Sequence, residues 1–341
     1  MGRVRIKEKF SQMMNELNEK GKLLSSTSLA LIALTRMDEL LKLFEESGSY
    51  PARLITSYLR NVISSRRSAT LVHNVIRKLL LSMIEYISER EGRLNMPDLT
   101  KYMREKIVKL RREIITSLQA LSIIASKRIE RGDSIMTNAF SLSVLFAIRR
   151  AVRDGKDIKV YIAESRPFSN GIQMAETLDN LGIEVVLFVD SAIRYFMKEV
   201  DKVFIGAESI AANGALVGKV GTSILALTAH EARVRVLAIS SILKFSPETF
   251  FGELIEEERA SPEFMFSQSV INELKSINVS IYVPVLDFTP SDYIDLIVTE
   301  KGVIAPQAVP FIIKEIYGWP PRAPDVNELL TRFEHEIWRL S

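Results

Sequence analysis

Cysteine is absent from the 341-residue chain. That excludes disulfides, thiolate-bound zinc, iron–sulfur clusters and any cysteine nucleophile. Histidine is scarce, at His73, His230 and His335 only, so a histidine-rich metal site is not expected and no metal is assigned. Long hydrophobic runs are missing too. The longest uncharged stretch, 134–148, spans 15 residues and contains Thr137, Asn138, Ser141 and Ser143. A spanning helix needs about 20 mostly apolar residues. No apolar stretch follows the charged start with Arg3, Arg5, Lys7, Glu8 and Lys9. The expectation is a cytoplasmic protein without an export signal or membrane contact.

What is present suits a folded chain. Hydrophobic residues make up 47% and charged residues 26%, enough apolar surface to fill a core and too much for gross disorder. The length suggests two domains. The net charge of +3 conceals a split. Residues 1–130 hold 24 Lys and Arg against 14 Asp and Glu, a net of +10; residues 131–341 hold 21 against 28, a net of −7. Either two complementary faces dock, or the basic part meets an acidic or phosphorylated partner. Direct nucleic-acid binding by the basic part finds no recognisable RNA or DNA module in support.

The periodicity changes along the chain. Leu29, Leu31, Ile32, Leu34, Met37, Leu40, Leu41 and Phe44 recur mostly at three and four, as an amphipathic helix requires,. Similar runs cover 54–63 and 71–87. Asn95 and Pro97 announce a further start. The series Ile107, Leu110, Ile114, Leu118, Leu121 and Ala125 predicts one long linking helix ending near Ile129. After Gly132, short Val- and Ile-rich runs alternate with helix-length segments. The predicted strands are 134–136, 159–163, 184–189, 202–205, 234–239, 281–286 and 294–298, with helices over 142–152, 171–181, 192–199 and 219–231. The fold class is therefore α/β: an all-helical domain over 1–130, then a Rossmann-like, doubly wound, mostly parallel sheet over 131–341.

In such sheets ligands bind beyond the carboxyl ends of the strands. Residues 137–141, 164–167, 190–191, 206–209 and the following 213–222 occupy those ends. Arg166, Lys219 and Lys244 with nearby hydroxyls have the chemistry of a phosphate pocket, a guanidinium for bidentate contact and ammoniums as point charges. The competing account pairs Arg166 with Glu164 structurally and leaves Lys219 solvated. The candidate ligand set is Thr137, Ser165, Arg166, Glu208, Asn213 and Lys219. Gly214 to Lys219 is not a P-loop: it is one residue short, and Val220 replaces the magnesium-binding hydroxyl. No GxGxxG follows the first strand, no GxSxG nucleophile elbow is present, and no cofactor is assigned.

Glu164-Ser165-Arg166-Pro167, Gly206-Ala207-Glu208, Asn213-Gly214, Gly218-Lys219-Val220-Gly221-Thr222 and Pro306, in that order, resemble one superfamily. It joins the alpha, beta and delta regulatory subunits of translation initiation factor 2B to methylthioribose-1-phosphate and ribose-1,5-bisphosphate isomerases. The resemblance covers about residues 25–320. It implies a helical domain before a Rossmann-like one, dimers made through the latter, and a strand-end pocket for a phosphorylated sugar or nucleotide. In the isomerases, a Thr-His-Cys stretch supplies a catalytic cysteine and a Gly-Ala-Asp stretch a catalytic aspartate. The matching residues here are Ala139 and Glu208. Gly218 stands where the isomerases favour asparagine.

Moving a proton between sugar carbons needs a positioned acid and base. This reading therefore favours a non-catalytic, archaeal-type regulatory-subunit homologue, binding itself, initiation factor 2 (through its alpha subunit) and a phosphorylated metabolite, with no catalytic residue and no turnover. The alternative is a sugar-phosphate aldose–ketose isomerase that uses Glu208.

Overall fold

The computed structural model describes residues 2–21, 23–90, 94–252, 255 and 258–339. The chain divides into two compact units, 1–116 with 322–341, and 117–321.

The first unit is helical: α1 (Gly2–Lys20), α2 (Ser26–Ser47), α3 (Ala52–Ser65), α4 (Thr70–Ser88), most of α5 (Met96–Ser126) and α12 (Val326–Trp338). Local chemistry sets the ends. Ser25 Oγ accepts the Ser28 N–H at 3.1 Å to open α2, and Gly48, at φ 63°, closes it in the left-handed region,. Asn95 Oδ1 accepts the Asp98 N–H at 2.9 Å at the head of α5. The predicted apolar stripes of α2, α3 and α4 are buried, except that Leu31, Ile32 and Leu54 are half-buried.

A boundary at residue 130 is corrected here. The division falls within α5, and the C-terminal segment returns to the helical unit. Asp325 Oδ1 accepts the N–H groups of Asn327 and Glu328 to start α12. Its stripe of Val326, Leu329, Leu330, Phe333 and Ile337 is buried, and the helix packs on α3 and α4. Arg60 pairs with Glu334 at 2.7 Å, and Arg77 Nε donates to the Pro324 carbonyl at 2.8 Å. Burial of five apolar side chains outweighs sequence distance.

The second unit holds β1 (Ser134–Asn138), α6 (Leu142–Arg153), β2 (Lys159–Ala163), α7 (Asn170–Asp179), β3 (Glu184–Phe188), the short α8 (Ile193–Phe196), β4 (Lys202–Gly206), β5 (Ser209–Ile210), β6 (Leu216–Lys219), α9 (Thr222–Ala232), β7 (Arg235–Ile239), α10 (Gln268–Ser276), β8 (Leu286–Thr289), β9 (Leu296–Thr299), β10 (Gly302–Ile304) and α11 (Val309–Tyr317). Seven strands make one sheet in the order β10-β9-β7-β4-β1-β2-β3, parallel except for β10. Its central strands are buried on both faces, as parallel strands with crossover helices are,. The strand order reverses between β1 and β4, which marks the crevice where such sheets take ligands.

A second, antiparallel sheet, β5-β6-β8, lies outside the earlier expectation. Two further differences accompany it. Lys219 ends a strand instead of starting a helix, because it pairs with Leu286 of β8. The strand expected over 281–286 begins only at Leu286. Among the described residues, no helix is long and apolar enough to cross a membrane.

Candidate active site

The loops that follow β1 and β2 are tied to one another. Ala139 follows β1 with φ 53°, and Ser165 follows β2 with φ 61°. Both lie in the left-handed region that L side chains avoid, at a cost of about 1–3 kcal/mol each. They hold one another: Ser165 Oγ accepts the Ala139 N–H at 2.6 Å. Gly171 opens α7 where any Cβ would meet the Ala163 carbonyl oxygen at 1.9 Å, so only glycine lets α7 start this close to the end of β2.

Internal carboxylates already fill the backbone donors at two turns. The N–H groups of Ser165 and Arg166 each donate at 2.8 Å to Asp190. Those of Gly221 and Ser223, at the start of α9, donate to Asp287 Oδ2 at 2.7 and 3.0 Å. Asp287 thus occupies the backbone donors that lie just after Lys219.

The six predicted ligand residues fall in different places. Ser165 and Glu208 are buried at the strand ends. Glu208 follows β4, and its N–H donates to the Val217 carbonyl at 2.8 Å. Arg166 is exposed, and its guanidinium donates to the Phe264 carbonyl at 3.0 Å and to Ser169 Oγ at 3.4 Å. Among the described residues it makes no ion pair with Glu164. Lys219 Nζ sits 5.6 Å from the centroid of the Phe168 ring, and that ring packs edge-on against Phe264. Arg166 and Lys219 thus reach the same aromatic corner.

Two residues do not join them. Thr137 is fully buried within β1, and its neighbour Asn138 carries the polar contact, Nδ2 donating to Thr222 Oγ1 at 3.0 Å. Alternation along a strand explains the one-residue difference. Asn213 lies at the exposed tip of the β5–β6 hairpin, where its Oδ1 accepts the Ala215 N–H at 3.0 Å, while Glu208 and Lys219 lie at the open end. Gly214, at φ 82°, packs that tip where a Cβ would meet the Pro306 carbonyl at 2.5 Å.

Lys244 is 2% exposed and donates to the Ala207 carbonyl at 2.6 Å. A buried ammonium therefore stands one residue from Glu208. The turn that carries it is braced by Glu300, which accepts from Ser241 Oγ at 2.7 Å and from the Ile242 N–H at 3.1 Å.

Asp287 was missed. The apolar run read as a strand stopped one residue before it. On β8 it lies opposite Gly218. Burial pushes its carboxyl up to about 6, against the opposing pull of the α9 backbone N–H groups,. Its Oδ1 is buried with no hydrogen-bond partner among the described residues. The raised value has a stability consequence. Between the ordinary 3.8 and about 6, the folded state binds the proton that the unfolded state has released,. The contribution of Asp287 is thus most favourable below pH 4 and falls as pH rises to 6, by up to about 3 kcal/mol. Urea unfolding at pH 4, 5, 6 and 7 is expected to show Asp287→Asn gaining on the unsubstituted protein across that window; parallel curves would refute it.

The pattern of the Initiation factor 2 subunit family matches residues 24–306. A protein of Methanocaldococcus jannaschii named ribose 1,5-bisphosphate isomerase is 42% identical over 246 residues, covering 68% of this chain and 79% of that one. A Pyrococcus furiosus protein of the same name is 41% identical over 221 residues, covering 64% and 68%. The delta subunit of translation initiation factor eIF2B from Schizosaccharomyces pombe is 30% identical over 76% of this chain and 57% of its own length. Among solved structures, the Pyrococcus horikoshii OT3 translation initiation factor eIF-2B superposes with a TM-score of 0.68 at 25% identity, over 89% of this chain and 97% of that one. Six archaeal relatives, 28–42% identical, carry the isomerase name. They overturn the reading as a non-catalytic regulatory subunit. Departures at Ala139, Glu208 and Gly218 are three positions against similarity along most of the chain. The fold, the ordered strand-end motifs and the match over most of its length agree that this chain belongs to the Initiation factor 2 subunit family.

Proposed function

We propose that the protein is an aldose–ketose isomerase acting on a pentose 1-phosphate, of the ribose 1,5-bisphosphate type, with Glu208 as its base. The observation that carries this is the 42% identity with the Methanocaldococcus jannaschii isomerase. The site supports it in three respects. Glu208 stands at the strand-order reversal beside the buried Lys244. Arg166 and Lys219 bring cationic groups to one corner for phosphate. The strained backbone at Ala139 and Ser165 is of the kind found at active sites,.

In a furanose 1-phosphate the reaction moves hydrogen without any redox partner. Glu208 takes the C2 proton, and the electron pair of that C–H bond becomes C1=C2. The C1–O4 bond breaks, and O4 leaves with a proton from an acid. The enol then takes a proton at C1 while its C2 hydroxyl loses one, leaving the C2 ketone. Absence of the thiol leaves Glu208 intact as base but requires another acid. Self-association belongs to the same reading. Phe311, Ile316 and Trp319, in and just after α11, stay exposed, and a solved relative in this fold is a tetrameric eIF2B complex.

The test follows ribose 1,5-bisphosphate by phosphorus and carbon NMR, with light scattering on the same sample. Conversion to the 2-ketose by an oligomer is expected. Absence of turnover across pH 5–9 would remove the isomerase reading, and a monomer at micromolar concentration would remove the association.

A further inference from the structure

The geometry points to Asp287 as the second proton carrier of this site, the acid that delivers a proton to the ring oxygen where the thiol position holds Ala139. This rests on the isomerase reading and deepens it.

Asp287 is linked to the end of β1 through two short steps. Its Oδ2 holds the Gly221 N–H. A Cβ at Gly221 would stand 3.9 Å from Asn138 Nδ2, and Asn138 also donates to Thr222 Oγ1 at 3.0 Å. Asn138 immediately precedes Ala139. Asp287 therefore belongs to the strand-end cluster that the thiol of the resembled isomerases would enter. On the other side it lies opposite Gly218 of β6, and Glu208 donates its N–H to the adjoining Val217. The two residues flank one short strand, and the residue opposite Asp287 is a glycine, with no side chain to crowd it.

The two oxygens differ. Oδ2 is committed to backbone N–H groups, whereas Oδ1 is buried and without a hydrogen-bond partner among the described residues. An orphaned buried carboxyl oxygen is costly unless something supplies its partner. A sugar ring oxygen accepting its proton, and later a sugar hydroxyl donating one, fill that role. Charge around the group is sparse. The charged side chain next along β6 is Lys219, Glu208 lies beyond that strand, and the first turn of α9 offers only Thr222 and Ser223 with their N–H groups. Burial therefore dominates, and the carboxyl titrates at about 6, where an acid at moderate pH should stand.

Protons balance over the cycle. Asp287 gives one to O4 as the C1–O4 bond breaks and recovers one from the C2 hydroxyl as the ketone forms. Glu208 returns to C1 the proton it took from C2. Both end as they began.

The experiment compares the full-length chain with Asp287→Asn on ribose 1,5-bisphosphate across pH 5–9, with deuterium incorporation from D2O at C1 of the product recorded alongside. In the unsubstituted protein kcat/KM is expected to fall about tenfold per pH unit above the titration. In Asp287→Asn, kcat is expected to fall at least 100-fold with KM within threefold, and the alkaline limb to vanish. Asp287→Glu, which keeps the acid, should recover part of the rate and restore the limb. Should Asp287→Asn fail to fold, infrared titration of the unsubstituted protein substitutes: no carboxyl protonating between pH 5 and 7 overturns the proposal. An active protein whose Asp287→Asn form keeps both rate and limb overturns it while sparing the isomerase reading. No turnover and no exchange in the unsubstituted protein overturns both.

Discussion

Replacing Glu208 by glutamine is expected to lower kcat for ribose 1,5-bisphosphate by about 100- to 10,000-fold, the range a positioned general base supplies. Glu208 is 5% exposed just after β4, and glutamine matches its size, so the fold is expected to survive. KM should therefore change little, because the lost interaction belongs to the transition state. Deuterium exchange at the sugar carbons should fall in parallel with turnover. If Glu208→Gln keeps the full rate, the proton is moved by another group and the assignment of the base fails.

The second large effect is structural. Asp133 precedes β1 and Lys202 begins β4, so the pair joins the two strands at the edge opposite the site. Lys202 Nζ lies 2.8 and 2.6 Å from the two Asp133 oxygens, and the Glu130 N–H donates to Oδ2 at 2.5 Å. The side chains are 16% and 9% exposed. Asp133→Ala leaves the Lys202 ammonium, which has little water, only the exposed Glu130 Oε1 at 3.8 Å, and the expected loss is about 3–5 kcal/mol. Asp133→Ala with Lys202→Met should recover much of it, since the cost comes from the abandoned charge. A single variant within about 1 kcal/mol of the unsubstituted protein in urea unfolding would show that solvent reaches Lys202 and screens it.

Elements with a strong period could be read from the chain. The stripes of α2 to α4 and the Val- and Ile-rich strands β1, β2 and β4 fall where residue spacing places them, because burial of one face fixes both period and sign. The β5–β6–β8 sheet could not. Its strands are two to four residues long and contain Ser209, Gly218 and Asp287, so no window is long enough to show alternation. That failure put Lys219 on a helix and hid Asp287. The stripe of α12 is plain in the sequence, yet its place against α3 and α4 depends on contacts with residues about 250 positions earlier, which periodicity does not encode,. In the site, strand ends identified Ser165, Arg166 and Glu208 as neighbours of the crevice. They did not reveal that Asp190 and Asp287 had taken the backbone donors, since hydrogen bonds between distant loops leave no local pattern.

The return of α12 to the helical unit also bears on the order of synthesis. Residues 117–321 emerge from the ribosome between the first five helices and their sixth. At the usual rate of about 5–20 residues per second, the apolar surface of α3 and α4 waits uncovered for about ten seconds or more. Throughout that interval the faces of α3 and α4 that α12 later covers stay open to solvent beside Arg53, Arg60 and Arg77, the arginines that reach α12 or its leading loop once it arrives.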